Sequence, residues 1–99
     1  MKLSTDKIKQ YRTIGHNLHP VVTIAGKGLT DTVLAEVNRA LEDHELIKVK
    51  IAVIDRALRK ATIEELCTSS NAQLVQEIGK IALIFRAAQK PDPRKSNLC

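Results

Sequence analysis

The chain has 99 residues, with 16 lysines and arginines against 11 acids, a formal charge of +5 and a pI near 9.5. That length fits one domain with a modest core, and the basic excess fits a polyanionic partner without requiring one. The only cysteines, Cys67 and Cys99, cannot build the disulfide framework of a small secreted domain; no His/Cys/Asp/Glu spacing suits a metal, and no apolar run has the length of a leader or a membrane span. The expectation is a reduced, cytoplasmic protein with no metal, no cofactor and no membrane contact. The cations concentrate at the two ends: Lys2, Lys7, Lys9 and Arg12 face one acid in residues 1–20, and Arg86, Lys90, Arg94 and Lys95 face one acid in residues 85–99.

Ser4 can cap a helix beginning at Thr5. Ile8, Tyr11, Ile14 and Leu18 recur every three or four residues and share one face, Gly15 weakens the helix end, and His19-Pro20 stops it. Val21 to Ala25 is β-branched and apolar, which predicts a buried strand. Gly26-Lys27-Gly28-Leu29 reads as a turn, after which Thr30 caps a second helix whose stripe is Val33, Leu34, Val37, Ala40 and Leu41. Leu46 to Val53 alternates: Ile47, Val49, Ile51 and Val53 point one way, while Leu46, Lys48, Lys50 and Ala52 point the other. Asp55 caps a third helix that runs to about Ser70, with Ile63, Leu66 and Cys67 inward and Asn71 suited to a left-handed stop. Leu74–Ile78 and Lys80–Arg86 are two further strands joined at Gly79. The segment 89–99, with Pro91 and Pro93, has no periodicity and reads as a basic, disordered tail after a domain spanning 1–88. The order α-β-α-β-α-β-β implies a mixed sheet with helices packed against it.

The Gly-Lys-Gly turn admits few ligands. A Walker loop needs a glycine at 21 and a serine or threonine at 28, where Val21 and Gly28 stand. A dinucleotide fingerprint beginning at Gly26 would put its third glycine at Asp31, an acid where the pyrophosphate belongs. A looser possibility is a nucleic-acid backbone: glycine lets another backbone approach closely, the following helix start attracts anions, and Lys27 adds charge. From these residues alone, a purely structural turn is the stronger reading.

Four stretches taken together resemble a known family. LSTDKIKQYRTIGHNLHPVV, GLTDTVLAEVNRALEDHELIKVKI, DRALRKATIEEL and LVQEIGKIALIFR, covering residues 3 to 86, are similar to the CRM (chloroplast RNA splicing and ribosome maturation) domain of small bacterial YhbY-like RNA-binding proteins. The resemblance implies a single α/β domain with a four-stranded mixed sheet and three helices, similar in part to the C-terminal domain of translation initiation factor three. It implies association with ribosomal RNA in precursors of the large subunit, a role in ribosome assembly, no catalysis and no small-molecule substrate. It also implies RNA contact through a GxxG loop, here Ala25, Gly26, Lys27 and Gly28 followed by Leu29 and Thr30. The first glycine of that pattern is Ala25, which disfavours positive φ; Gly26 is a residue that could absorb the change.

Beside the loop, Lys48 and Lys50 are candidate phosphate contacts, with Lys7, Lys9, Arg12, Lys80 and Arg86 as weaker ones. Only Tyr11 and Phe85 carry six-membered aromatic rings, so no row of rings is available to stack bases. Binding is therefore expected to depend strongly on salt and weakly on sequence. His16, His19 and His44 have no nucleophile or carboxylate placed beside them by spacing, and Cys67 reads as a small buried group. The alternative is a protein-binding module of translation or ribosome assembly that makes no direct RNA contact.

Overall fold

A computed structural model describes residues 3–98; Lys2 and Cys99 lie outside the described residues. The elements are α1 (Thr5–Gly15), β1 (Pro20–Ile24), α2 (Asp31–His44), β2 (Leu46–Ile51), α3 (Arg56–Ser70), β3 (Gln73–Ile78) and β4 (Ile81–Phe85). The strands form one sheet in the order β1-β2-β4-β3, with β1 parallel to β2 and the other two pairings antiparallel. The mixed sheet and element order expected from the sequence are those observed.

Strand periodicity divides the core in two. Val22, Ile24, Ile47, Val49, Ile51, Ala82 and Ile84 project to the side where α2 and α3 lie, and pack with Val37, Leu41, Ile63 and Leu66. On the opposite side Leu46, Val75 and Leu83 meet Tyr11, with Ile8, Ile14 and Leu18 of the α1 stripe packed around them. Fully burying a side chain of this size contributes roughly 1.5–3 kcal/mol, so the first cluster dominates. Ser4, Thr30 and Asp55 cap the helices as expected: their side-chain oxygens accept from Lys7 N at 3.2 Å, Val33 N at 3.2 Å and Ala57 N at 2.8 Å. Asn71 closes α3 at φ 57.

Several local expectations are corrected. The first strand is an edge strand, Pro20–Ile24, and not a buried one: Val22 and Ile24 are buried, but Val21 is 51% exposed. Periodicity in so short a run cannot separate one buried face from two. β2 ends at Ile51, although Val53 still reaches the core. Lys80 belongs to the β3–β4 turn and not to the strand. Ile78 pairs with Ile81, and Gly79 takes φ 56 at the first central position of a two-residue hairpin, where a tight turn calls for glycine. Gly15 does more than weaken a helix end. A Cβ there would stand 2.5 Å from Leu83 Cδ2, so the missing side chain is what lets α1 press directly onto β4.

Residues 87–98 contain no helix or strand, as the prolines suggest, yet they differ from the expected disordered tail. They fold back over the end of α2. Glu42 accepts from Gln89 N at 3.2 Å and Lys90 N at 3.1 Å. The buried Glu45 carboxylate accepts from Ala88 N at 2.9 Å and the Ser96 hydroxyl at 2.8 Å. His44 O accepts from Asn97 N, Leu46 O accepts from Asn97 Nδ2, and Leu98 packs into the α1 cluster. These partners are backbone groups and single side chains scattered through a proline-rich segment, and no periodicity reveals them. The Lys90 and Gln89 amides hold the Glu42 carboxyl below its ordinary value of 4.5. A depressed carboxylate stabilises its contacts above the ordinary value and loses them as pH falls through the depressed one. Acidifying below pH 4.5 is therefore expected to shift the Gln89 and Lys90 amide resonances together, with Glu42→Gln abolishing that transition.

Candidate nucleic-acid interface

The loop after β1 is built by a few backbone bonds. Ile24 O accepts from Ala52 N at 2.8 Å, fixing the strand end against the segment after β2. Gly28 N donates to Ala25 O at 2.9 Å, closing a four-residue turn, and Thr30 N donates to Gly28 O at 3.1 Å. Gly28 has φ 78, whereas the described non-glycine residues with positive φ are Glu45 and Asn71 alone. Ala25 thus occupies its position without strain, and Gly26 absorbs nothing, because the left-handed residue of the loop is Gly28. Lys27 is exposed at the tip. Leu29 is half-buried and packs on the larger core, anchoring the loop. Thr30, exposed, commits its hydroxyl to the α2 cap. Of the six loop residues expected to touch a ligand, Leu29 and the Thr30 hydroxyl are turned to structural tasks.

Other cations gather at the same end of the sheet. Lys80 O accepts from Ile51 N at 2.6 Å, which sets the β3–β4 turn beside the end of β2. Lys50 is exposed, and pairs across to Thr23 on one side and Ile81 on the other. α2 and α3 both begin here, beyond the carboxyl ends of the two parallel strands, the place where open α/β sheets hold ligands. α3 brings Arg56 and Lys60, both exposed. Sequence reading passed over this pair, although a cluster of cations directly behind a strand in DRALRK was the available signal. Arg59 Nη1 donates to Val53 O at 2.9 Å and Ile54 O at 3.2 Å, which holds the segment before α3 in place.

Lys48 lies on the same face of β2 as Lys50 but is half-buried, and lines a cleft with His16 from the carboxyl-terminal end of α1. Arg12 lies one helical turn before His16 and lines the neighbouring cleft with Gln76 and Ile78. The remaining basic candidates fall elsewhere. Lys7 sits near the opposite end of the sheet, its Nζ 5.9 Å from the Tyr11 ring centroid, and shares a hollow with Gln73 and Phe85. Lys9 is exposed on α1, and no contact ties it to the loop. Arg86 is engaged within the fold. Its guanidinium donates to Asn38 Oδ1 at 2.9 Å, Ser70 O at 2.9 Å and Asn38 O at 3.0 Å, so it joins α2 to the end of α3.

Tyr11 and Phe85 pack against each other with tilted rings, centroids 5.0 Å apart, in the α1 cluster. Burial and the Glu45 charge push the Tyr11 hydroxyl pKa up, and burial pushes the Cys67 thiol up, away from the thiolate a nucleophile needs. His44 is bound through Nδ1 to Lys95 O at 2.7 Å. Among the described residues no group of three His, Cys, Asp or Glu could hold a metal ion, and no helix is long and apolar enough to cross a membrane. What the geometry supplies is a loop with an exposed lysine, two helix starts and a basic strand face, which suits an extended polyanion.

An α/β sheet of this topology with this loop defines a class, and sequence comparison agrees on it. Residues 3–86 match the CRS1/YhbY (CRM) domain, and the chain belongs to that family. It is 51% identical over 98 residues to a protein of Pseudomonas aeruginosa named as a probable RNA-binding protein, covering 99% of this chain and 94% of that one. It is 41% identical over 96 residues to an RNA-binding protein of Haemophilus influenzae, covering 94% and 97%. The fold matches the solution structure of a Staphylococcus aureus protein described as a candidate RNA binder, with a TM-score of 0.78 and 27% identity over 90% of this chain and 93% of that one.

Proposed function

We propose that this chain is a cytoplasmic RNA-binding protein, not an enzyme, that associates with ribosomal RNA in precursors of the large ribosomal subunit and assists their assembly. The observation that carries the RNA reading is the convergence of Lys27, Lys50 and Lys80 on the sheet end where α2 and α3 begin. Relatives named for RNA binding support it. With the two aromatic rings packed against each other in the α1 cluster, recognition rests mainly on backbone and shape. The test is sedimentation of a lysate through a gradient. The protein is expected to travel with large-subunit precursors at low salt and to leave them after ribonuclease treatment.

One observation favours the second reading, a protein-binding module: Ile54 is 89% exposed and Leu58 is 55% exposed at the start of α3, as an apolar interface centre would be. Co-sedimentation that survives ribonuclease, but not Ile54→Asp, would replace the first reading with this one.

A further inference from the structure

Between the carboxyl-terminal end of α1 and the open face of the sheet lies a cleft of about 260 Å³. Its floor is apolar: Ile78, Ile81 and Leu83. Its rim is polar: His16, Lys48 and Gln76. The shape has a definite cause. Gly15 lets α1 close onto Leu83, which carries the next residue, His16, over the sheet and walls the cleft at one end. A bulge in β3 between Leu74 and Gln76 puts Gln76 opposite Leu83, on the cleft side. No carboxylate lines the cleft or the adjoining one that runs on past Arg12.

We infer that this cleft receives one unstacked nucleobase of a single-stranded RNA segment. A flat apolar floor with a few convergent donors and acceptors at the edge is the general form of a small planar-ligand site. The volume lies just below the usual range for such sites, which suits a single base. Gln76 offers both a donor and an acceptor to a base edge, Lys48 a donor, and His16 either, depending on its tautomer. Single-stranded RNA is the form whose bases are free to enter. Lys50, one residue pair along β2 from Lys48, leads the strand toward Lys27. The inference rests on the RNA reading above and adds to it one point of base contact in an interface otherwise directed at the backbone.

The test uses the whole chain and fluorescence anisotropy with three labelled probes: an oligoadenylate decamer, an oligouridylate decamer, and an abasic ribose-phosphate decamer. Both base-bearing strands are expected to bind several-fold more tightly than the abasic one, and Gln76→Ala is expected to remove most of that difference. Ile78→Asp, at a residue 64% exposed and so safe for folding, is expected to do the same by placing a carboxylate in the cleft. Equal affinity for all three probes in the wild type overturns the cleft proposal and leaves the RNA reading standing. A difference that persists undiminished in both variants also overturns it, since the base is then held elsewhere. Absence of binding to every probe at low salt overturns both.

Discussion

Reversing two cations at the loop end, Lys27→Glu with Lys50→Glu, is expected to lower affinity for single-stranded RNA by roughly a hundredfold at low salt. Each change replaces an attraction by a repulsion, about 1 kcal/mol each at contact distance in water, and sites without shared partners add. Mobility of exposed lysines and ionic screening reduce the sum. The slope of log K against log salt should flatten by about 1.4, two phosphate contacts at roughly 0.7 each. Both residues are exposed, so the melting curve should barely move, since such surface changes usually stay within about 0.5 kcal/mol. Anisotropy titrations at several salt concentrations measure both quantities. A double variant that binds within threefold of wild type, with an unchanged slope, would remove the loop end from the interface.

Arg86→Met should behave in the opposite way. α3 has no basic residue in its last turn; Arg86 supplies one from the end of β4, donating to Ser70 O while its other contacts hold Asn38 of α2. Removing the guanidinium leaves three oxygens short of a donor, and each buried one costs about 1–3 kcal/mol. Because the site is half-buried, water recovers part of this, and the expected loss is about 3 kcal/mol. For a domain of this size each kcal/mol lowers Tm by about 4–8 °C, which gives a drop of roughly 15 °C. RNA affinity measured well below that transition should stay within twofold of wild type. A variant that melts normally but binds poorly would return Arg86 to the interface.

The contrast between these two variants shows where sequence reading works. Lys50 was legible because strand alternation assigns a face: Ile47, Val49 and Ile51 go to the core, so Lys48 and Lys50 cannot. The three helices were equally legible, since each begins at a capping residue and carries an apolar stripe. The ligand end of the fold follows from connectivity, because a helix after each parallel strand fixes where the loops gather. Arg86 was not legible. Its partners lie 48 and 16 residues away, and a basic residue at a strand end looks the same whether it faces water or closes a helix. The Gln76 wall of the cleft was hidden for a related reason: a bulge changes which face a residue takes, and alternation assumes there is none. Gly15 was seen as a weak helix former, while its real constraint comes from Leu83, 68 positions along the chain.

The hydrogen bonds to Glu45 reach beyond the last residue of the family match. That match stops at residue 86, but Ala88 and Ser96 are what satisfy the buried Glu45 carboxylate. Two borders can therefore be drawn on one chain. The family-domain match marks the first; thermodynamics marks where buried charge stops needing neighbours, some ten residues later. A chain cut at the first border would leave a carboxylate, itself at the left-handed end of α2, facing an opened core with no donors from the excised segment. The folding unit and the family-domain match differ in length, and one glutamate marks the difference.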